Sequence, residues 1–268
     1  MRTSIVFLGL LMALSSFVSD SKLEITANSS FLPGEVLSYR VHYGFINAGE
    51  GTMQVNPKTQ DVNGKPCYKI NVFGKSVGAF AMMLKVKDNW RSYVDTTTLH
   101  PEKTFRNIQE GNYKLKETIF YKKDEGKIKV HSIKKNKDPK ETEYEVPADI
   151  HDIVSGYYYL RNIDYSKLNE GHIIELNAFF EDTFYDFRIR YVGKDVVRTK
   201  FGKMNAIKLV PIMPDNTFFD GEESIRVWLS DDKNKIPLKL QADMFIGAVE
   251  LDLKGFKNLR EPLNKATR

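Results

Sequence analysis

The segment EVLSYRVHY, Glu35 to Tyr43, alternates: Leu37, Tyr39, Val41 and Tyr43 fall on one face of an extended chain, and Ser38, Arg40 and His42 on the other. A side-chain period of two is the mark of a strand with one buried face. The pattern recurs in DFRIRYV, where Phe187, Ile189 and Tyr191 oppose Arg188 and Arg190, and in KLKETIFY, KIKVHSI, HIIELNAFF, SIRVWLS, IPLKLQADMF and AVELDLKGF. Turn signals separate these runs: NAGEG, VNGKP, KKDEGK, RYVGKD, FGKMN and SDDKNK. Loops this short join neighbours that run in opposite directions. The chain is therefore expected to be mainly β, a curved antiparallel sheet or open β-barrel wrapped around one interior.

Two stretches break the alternation. SVGAFAMMLKV places Val77, Phe80, Ala81 and Leu84 at helical spacing. PADIHDIVSGYYYLRNI does the same with Ile150, Ile153, Val154, Tyr157 and Tyr158, with Pro147 upstream and Asp149 near the positive end. Both are expected as short helices covering the concave side of the sheet. The second also holds His151, Asp152 and Ser155, the letters of a hydrolase. A catalytic relay needs the acid on one nitrogen of the histidine and the serine on the other. On a helix His151 and Ser155 share a face, whereas Asp152 points about 100° away from its neighbour. No G-x-S-x-G elbow surrounds Ser155. The stretch reads as a helix that fills a concavity with its aromatics, and no catalytic residue is assigned.

Three short matches recur in order along the chain: YRVHY with FRIRY, GKPCYKINV with GKMNAIKLV, and YVDTTTLHPEK with LSDDKNKIPLK. They suggest two related β units. The expected organisation is a signal peptide over 1–19, a linker over 20–30, a first β unit over 31–146, a connecting helix over 147–165, a second β unit over 166–258 and a tail over 259–268.

The signal peptide rests on Arg2, an apolar run from Ile5 to Leu14 and small residues at Ser15, Ser16 and Ser19, any of which fits cleavage. No later run is long and apolar enough to span a bilayer, so an exported, periplasmic chain without a transmembrane segment is expected. Cys67 is the sole cysteine, which rules out an intramolecular disulfide and leaves stability to the core. Lysine and arginine total 40 against 35 acids, or +5, and removal of Arg2 leaves +4. The dense basic stretch is HSIKKNKDPK, His131 to Lys140, which reads as a hairpin tip. For an exported chain an anionic envelope surface is a better partner for this excess than nucleic acid.

The five histidines, His42, His100, His131, His151 and His172, show no metal-ligand spacing, and no phosphate-binding loop is present. Asp220, Glu222 and Glu223, like Asp231 and Asp232, are adjacent acids in loops rather than carboxylates facing each other across a cleft. No cofactor or metal is expected. Aromatic residues are more informative, with 17 Phe, 13 Tyr and 2 Trp, clustered in AFFEDTFYDF and NTFFDG.

FLPGEVLSYRVHYGFINAGEGTMQV, NWRSYVDTTTLHPEKTFRNIQEGNYK and DIVSGYYYLR, in that order, resemble an exported Gram-negative family known only as a domain of unknown function, DUF3108. The resemblance spans about Phe31 to Phe256 and implies export and a β-rich fold; it carries over no catalytic residue. The hairpin WLSDDKNKIPLK is similar to one in open-barrel lipoprotein carriers of the envelope. The leading expectation is a non-enzymatic envelope protein that binds or carries a lipid-like or amphiphilic ligand. Phe80, Met83, Tyr157, Tyr158, Phe179 and Phe180 are expected to line its cavity, with Arg161 meeting an anionic head group. The rivals are an interaction module for envelope assembly, using sheet edges and the hairpin near Lys134 to Lys140, and a hydrolase of envelope polymer.

Overall fold

A computed structural model describes residues 27–212, 221, 223–245 and 247–266. The signal peptide, most of the linker, most of NTFFDG and the last two residues lie outside them. Fifteen strands form one antiparallel sheet. The first nine are β1 (Val36–Tyr43), β2 (Ile46–Val55), β3 (Gln60–Val62), β4 (Lys65–Ser76), β5 (Lys87–Asp95), β6 (Pro101–Glu110), β7 (Tyr113–Lys122), β8 (Lys127–Lys134) and β9 (Lys140–Glu145). The other six are β10 (Ile173–Phe180), β11 (Thr183–Thr199), β12 (Gly202–Ile212), β13 (Ile225–Ser230), β14 (Pro237–Asp243) and β15 (Ala248–Lys257). Helix α1 (Gly78–Met83) interrupts the first run and α2 (Ile153–Leu160) separates the two runs.

Spatial order is β10-β11-β12-β13-β14-β15-β1-β2-β4-β5-β6-β7-β8-β9, with short β3 beside β4. The two runs are thus one hydrogen-bonded sheet, joined where β1 pairs with β15 from Val36 opposite Lys257 to Tyr43 opposite Val249. Strands β9 and β10 are its two edges, and the sheet stays open. Its ends meet through side chains: Phe179 of β10 packs with Ile119 and Tyr121 of β7, Ile128 and Val130 of β8, and Ile150. The chain before α2 covers the β10 edge, with the His151 amide donating to Asn177 O at 2.8 Å and the Phe179 amide to His151 O at 2.9 Å.

Alternation delivers the core. Along β7, Leu115, Glu117, Ile119 and Tyr121 are buried while Lys114, Lys116 and Phe120 face water. In β1 Leu37 and Tyr39 are buried, and in β11 Ile189 and Tyr191 are, on the faces that alternation assigns. Sharp curvature uses bulges, such as the register shift between Tyr191 and Gly193. Gly193 has φ +127°, a backbone conformation strained for any residue with a side chain, which favours glycine there.

The later repeats find equivalent strands: β4-β5-β6 and β12-β13-β14 are neighbours in the same order. Their turns match in detail, with Leu99 (φ 59°) and Lys235 (φ 44°) both left-handed two residues before a proline. The shared acid shifts by one position. Asp95 Oδ1 accepts from the Thr97 and Thr98 amides, whereas Asp232, not Asp231, accepts from those of Asn234 and Lys235. YRVHY and FRIRY are not equivalent, because β11 adjoins β12 directly while β2 stands between β1 and β4.

Helix α2 starts on a capping box: the Asp152 carboxylate accepts from the Val154 and Ser155 amides, and Ser155 Oγ accepts from the Asp152 amide. Gly156 weakens the helix intrinsically but allows contact with β10, since a Cβ there would meet Leu176 Cδ2 at 2.9 Å. Helix α1 departs from expectation. Its spacing predicts a stripe buried in the concavity, yet none of its six residues is fully buried: Val77, Phe80 and Ala81 of the stripe are half-buried and Leu84 is exposed. It is less than two turns long and sits beyond the strand ends, with the Val77 amide donating to Ala48 O and Leu84 packed beside Gly111. No helix among the described residues is long and apolar enough to cross a membrane.

Candidate functional site

The concave side is largely filled by α2. Tyr158 is fully buried against Phe31, with ring centroids 4.8 Å apart and edge-on. Arg161, just past the helix, is 0 % exposed and forms a two-pronged ion pair with Glu35, itself 0 % exposed. Nη1 donates to Oε1 at 2.6 Å and Nη2 to Oε2 at 2.8 Å, while Nε and Nη2 also donate to Asn234 O. Its guanidinium lies over the rings of Phe31, Tyr157 and Tyr158. A buried charge is tolerable only with such partners. The expected encounter of Arg161 with a ligand head group is thereby corrected: the anion it meets is Glu35, brought beside it by the strand β1 entry. Tyr158 is likewise a core residue.

The His151–Asp152–Ser155 group is used for packing. The Asp152 carboxylate caps α2 and accepts from Ser92 Oγ at 2.7 Å. Burial raises its pKa, partly offset by Ser92 and Ser155. His151 Nδ1 lies 3.3 Å from Ser155 Oγ, which is also bonded to the Asp152 backbone. The His151 ring stacks on His100 with centroids 4.5 Å apart. Burial lowers the pKa of His100 to about 4 and pushes that of His151 well below its ordinary value, helped by His100. Both rings are neutral at pH 7. Cys67 is buried too, and burial, with Glu102 and Asp95 nearby, raises its thiol to about 12.

An open cleft lies between the start of α2, strands β5 to β7 and the end of β10. It is open and shallow, with enclosed space for about one or two waters rather than the hundreds of Å3 of a preformed ligand cavity. Trp90, Ile119, Ile153, Phe179 and Phe180 supply apolar wall, with Arg106, Glu117 and Asp152 among them, while Arg91 and Phe105 border the cleft from positions on the opposite face of the sheet. Trp90 and Phe180 stack at 5.6 Å. The Arg106 guanidinium lies 5.0 Å from the Trp90 ring centre and 5.1 Å from that of Phe180, and Nε donates to Glu117 Oε1 at 2.8 Å. Arg91 bonds Asn71 Oδ1 through Nε and lies over Phe105. Among the described residues no group of three or more histidines, cysteines or acids is placed to hold a metal.

Of the residues expected to line a cavity, Phe179 and Phe180 line this cleft. Tyr157 packs on the neighbouring core beside α2. Phe80 and Met83 stand apart on α1, with Met83 almost wholly exposed. Trp90, Arg106 and Glu117 escaped the sequence reading, although a signal existed. In PEKTFRNIQE the buried face of β6 carries Glu102, Thr104, Arg106 and Ile108, a polar inner face, and Arg106 stands directly opposite Glu117 on β7. The basic stretch is the β8–β9 hairpin tip, as read, with Lys134, Lys135, Lys137 and Lys140 exposed. Edge strand β9 turns Lys140, Glu141, Glu143 and Glu145 to solvent, charges that discourage pairing with another strand.

The family model described as "Protein of unknown function (DUF3108)" matches residues 38–254. No curated protein matches the sequence. Among solved structures, a β-barrel-like protein of the domain of unknown function DUF1849 from Brucella abortus is similar, with a TM-score of 0.55 and 10 % identity over 85 % of this chain and 99 % of that one. A hypothetical protein from Chlamydia trachomatis aligns with a TM-score of 0.38 and 7 % identity over 88 % and 93 % of the two chains. A candidate exported protein with a YmcC-like fold from Bacteroides fragilis aligns with a TM-score of 0.37 and 8 % identity over 85 % and 99 %. The first likeness supports the β-barrel-like fold.

Proposed function

We propose, on the premise that this chain belongs to the DUF3108 family, that it is an exported, periplasmic envelope protein that binds an amphiphile without chemically altering it. The observation that carries this reading is the cleft, where Trp90, Ile153, Phe179 and Phe180 stand around Arg106. Apolar and aromatic walls with a few charged groups suit a ligand with an apolar body and an anionic end. The apolar body would displace solvent beside Phe180 and Ile153, which is 45 % exposed at the mouth. The anionic end would face Arg106, whose guanidinium has one nitrogen on Glu117 and further donors to offer. Export is supported by the charged, then apolar, then small-residue order of the first nineteen residues.

The test is fluorescence titration of the mature protein, in a Trp228→Phe background so that Trp90 alone reports, with lysophosphatidylglycerol below its micelle concentration. A saturable change that Phe180→Ser weakens about tenfold supports the reading, since burying a phenylalanine is worth roughly 1.5–3 kcal/mol. No saturable change, with no amphiphile retained by protein purified from its own periplasm, would end it. A co-purifying protein complex would favour the envelope-assembly reading instead.

A further inference from the structure

In one antiparallel sheet, every second turn lies at the same end. The turns β14–β15, β1–β2, β4–β5, β6–β7 and β8–β9 therefore share a rim, and the pairings confirm it: Tyr43 at the end of β1 is opposite Val249 near the start of β15, Gly49 near the start of β2 is opposite Ser76 at the end of β4, and Leu115 near the start of β7 is opposite Lys134 at the end of β8. This rim is apolar where a soluble protein's turns are ordinarily polar. Phe45 is 107 % exposed, Met82 88 %, Met83 87 % and Phe245 63 %, and Ile46 and Leu84 are exposed beside them. They come from three separate connections that the topology sets side by side. Among the described residues, no exposed large apolar side chain falls in the turns of the opposite rim at 56–64, 96–100, 123–126, 200–201 and 231–236. Farther round the same rim stand exposed Lys85, Lys87, Lys114, Lys134, Lys135, Lys137 and Lys140, alongside the acids Glu110, Asp138, Glu181 and Asp182.

We infer that this rim docks on the surface of an anionic lipid bilayer. Protruding tips on several turns suit a broad, yielding, planar partner, whereas a peptide or helix would call for a groove. Phe45, Phe245, Met82 and Met83 would enter the boundary between headgroups and acyl chains, and the lysines would stay among anionic headgroups. Helix α1, whose Phe80 and Ala81 are half-buried while Met82 and Met83 project from the protein, would set those two methionines into the lipid. Phe180 ends β10 at this rim and also lines the cleft, so docking would bring the cleft mouth toward the lipid. The inference does not depend on the cleft binding anything.

The experiment is vesicle flotation of the full mature chain with liposomes of phosphatidylethanolamine and phosphatidylglycerol in roughly equal parts, against liposomes of phosphatidylcholine alone. The wild-type protein is expected to float with the anionic vesicles and to bind the neutral ones at least tenfold more weakly, with added salt releasing it. The double variant F45S/F245S should lose at least tenfold in binding, and K134E/K135E should lose binding chiefly at low salt. Both should keep the wild-type melting temperature, and Phe180→Ser should float unchanged, which separates docking from ligand binding in the cleft. Equal flotation of F45S/F245S and wild type would overturn the inference. So would equal binding to both vesicle types, or a concentration-dependent dimer in sedimentation that F45S/F245S abolishes, which would make the rim a self-association face.

Discussion

The two rims of the sheet are built from the same kinds of turn and solve opposite problems. On one, apolar turn residues are folded inward and polar groups are matched: Leu99 and Ile236 are fully buried, Asp95 and Asp232 satisfy turn amides, and Asn234 joins Arg161 to the Glu261 backbone. Glu102 there accepts from both Lys65 and Lys123. On the other rim, Phe45 and Phe245 are held out in water at hairpin tips. The difference lies in what covers each end. Helix α2 and its flanks plug the first, and nothing in the described chain covers the second. One rim contributes to stability; the other spends apolar surface without stabilising the fold, and such surface marks an interaction site.

The comparison is open to attack at three points. The largest effect is expected at the plugged end. Replacing Glu35 with alanine strands the Arg161 charge in the core and should cost about 3–5 kcal/mol in denaturant unfolding. A loss below about 1 kcal/mol would show that the plug does not hold this rim together. Next comes acid. His100 and His151 are buried neutral with depressed values, so the folded state binds fewer protons than the unfolded chain once the pH drops below the ordinary imidazole value of 6.5. Their contribution is complete above that pH and is lost as pH falls toward about 4, on the order of 2–3 kcal/mol for His100. His100→Asn should flatten this part of the pH–stability curve. The smallest effect is expected at the exposed rim, where Phe45→Ser and Phe245→Ser should each leave unfolding within about 0.5 kcal/mol of wild type. A cost of 2 kcal/mol or more, on the order of a buried side chain, would mean these rings pack after all.

Much of this architecture could be read from the residues. Alternation in EVLSYRVHY and DFRIRYV assigned the buried faces of β1 and β11, and the apolar stripe from Ile150 to Tyr157 located α2. The candidate site was less legible. Phe179 and Phe180, which border the cleft, stand in a visibly aromatic stretch, whereas the Arg106–Glu117 pair needed the register of β6 on β7, which depends on where the hairpin turns. Arg161 was misassigned because a cation beside aromatics reads equally as a ligand contact or a core ion pair; the choice depends on Glu35, 126 residues away. For α1, helical spacing marked the face that turns inward, with Phe80 and Ala81 half-buried, but not how shallow its cover is, since spacing says which side chains share a face and nothing about what that face meets.

By itself the sequence determined local geometry: which segments extend, which coil, which faces are apolar, and that the short turns between strands force antiparallel neighbours. These follow from near-neighbour sterics and a fixed side-chain period. Only the tertiary structure decided that β1 pairs with β15 to make one sheet of two runs, that Arg161 finds Glu35, and that Phe45, Met82, Met83 and Phe245 share one uncovered rim. Those outcomes join residues far apart in the chain. Their free energy comes from burial and charge pairing across the sheet, which no local window of sequence contains.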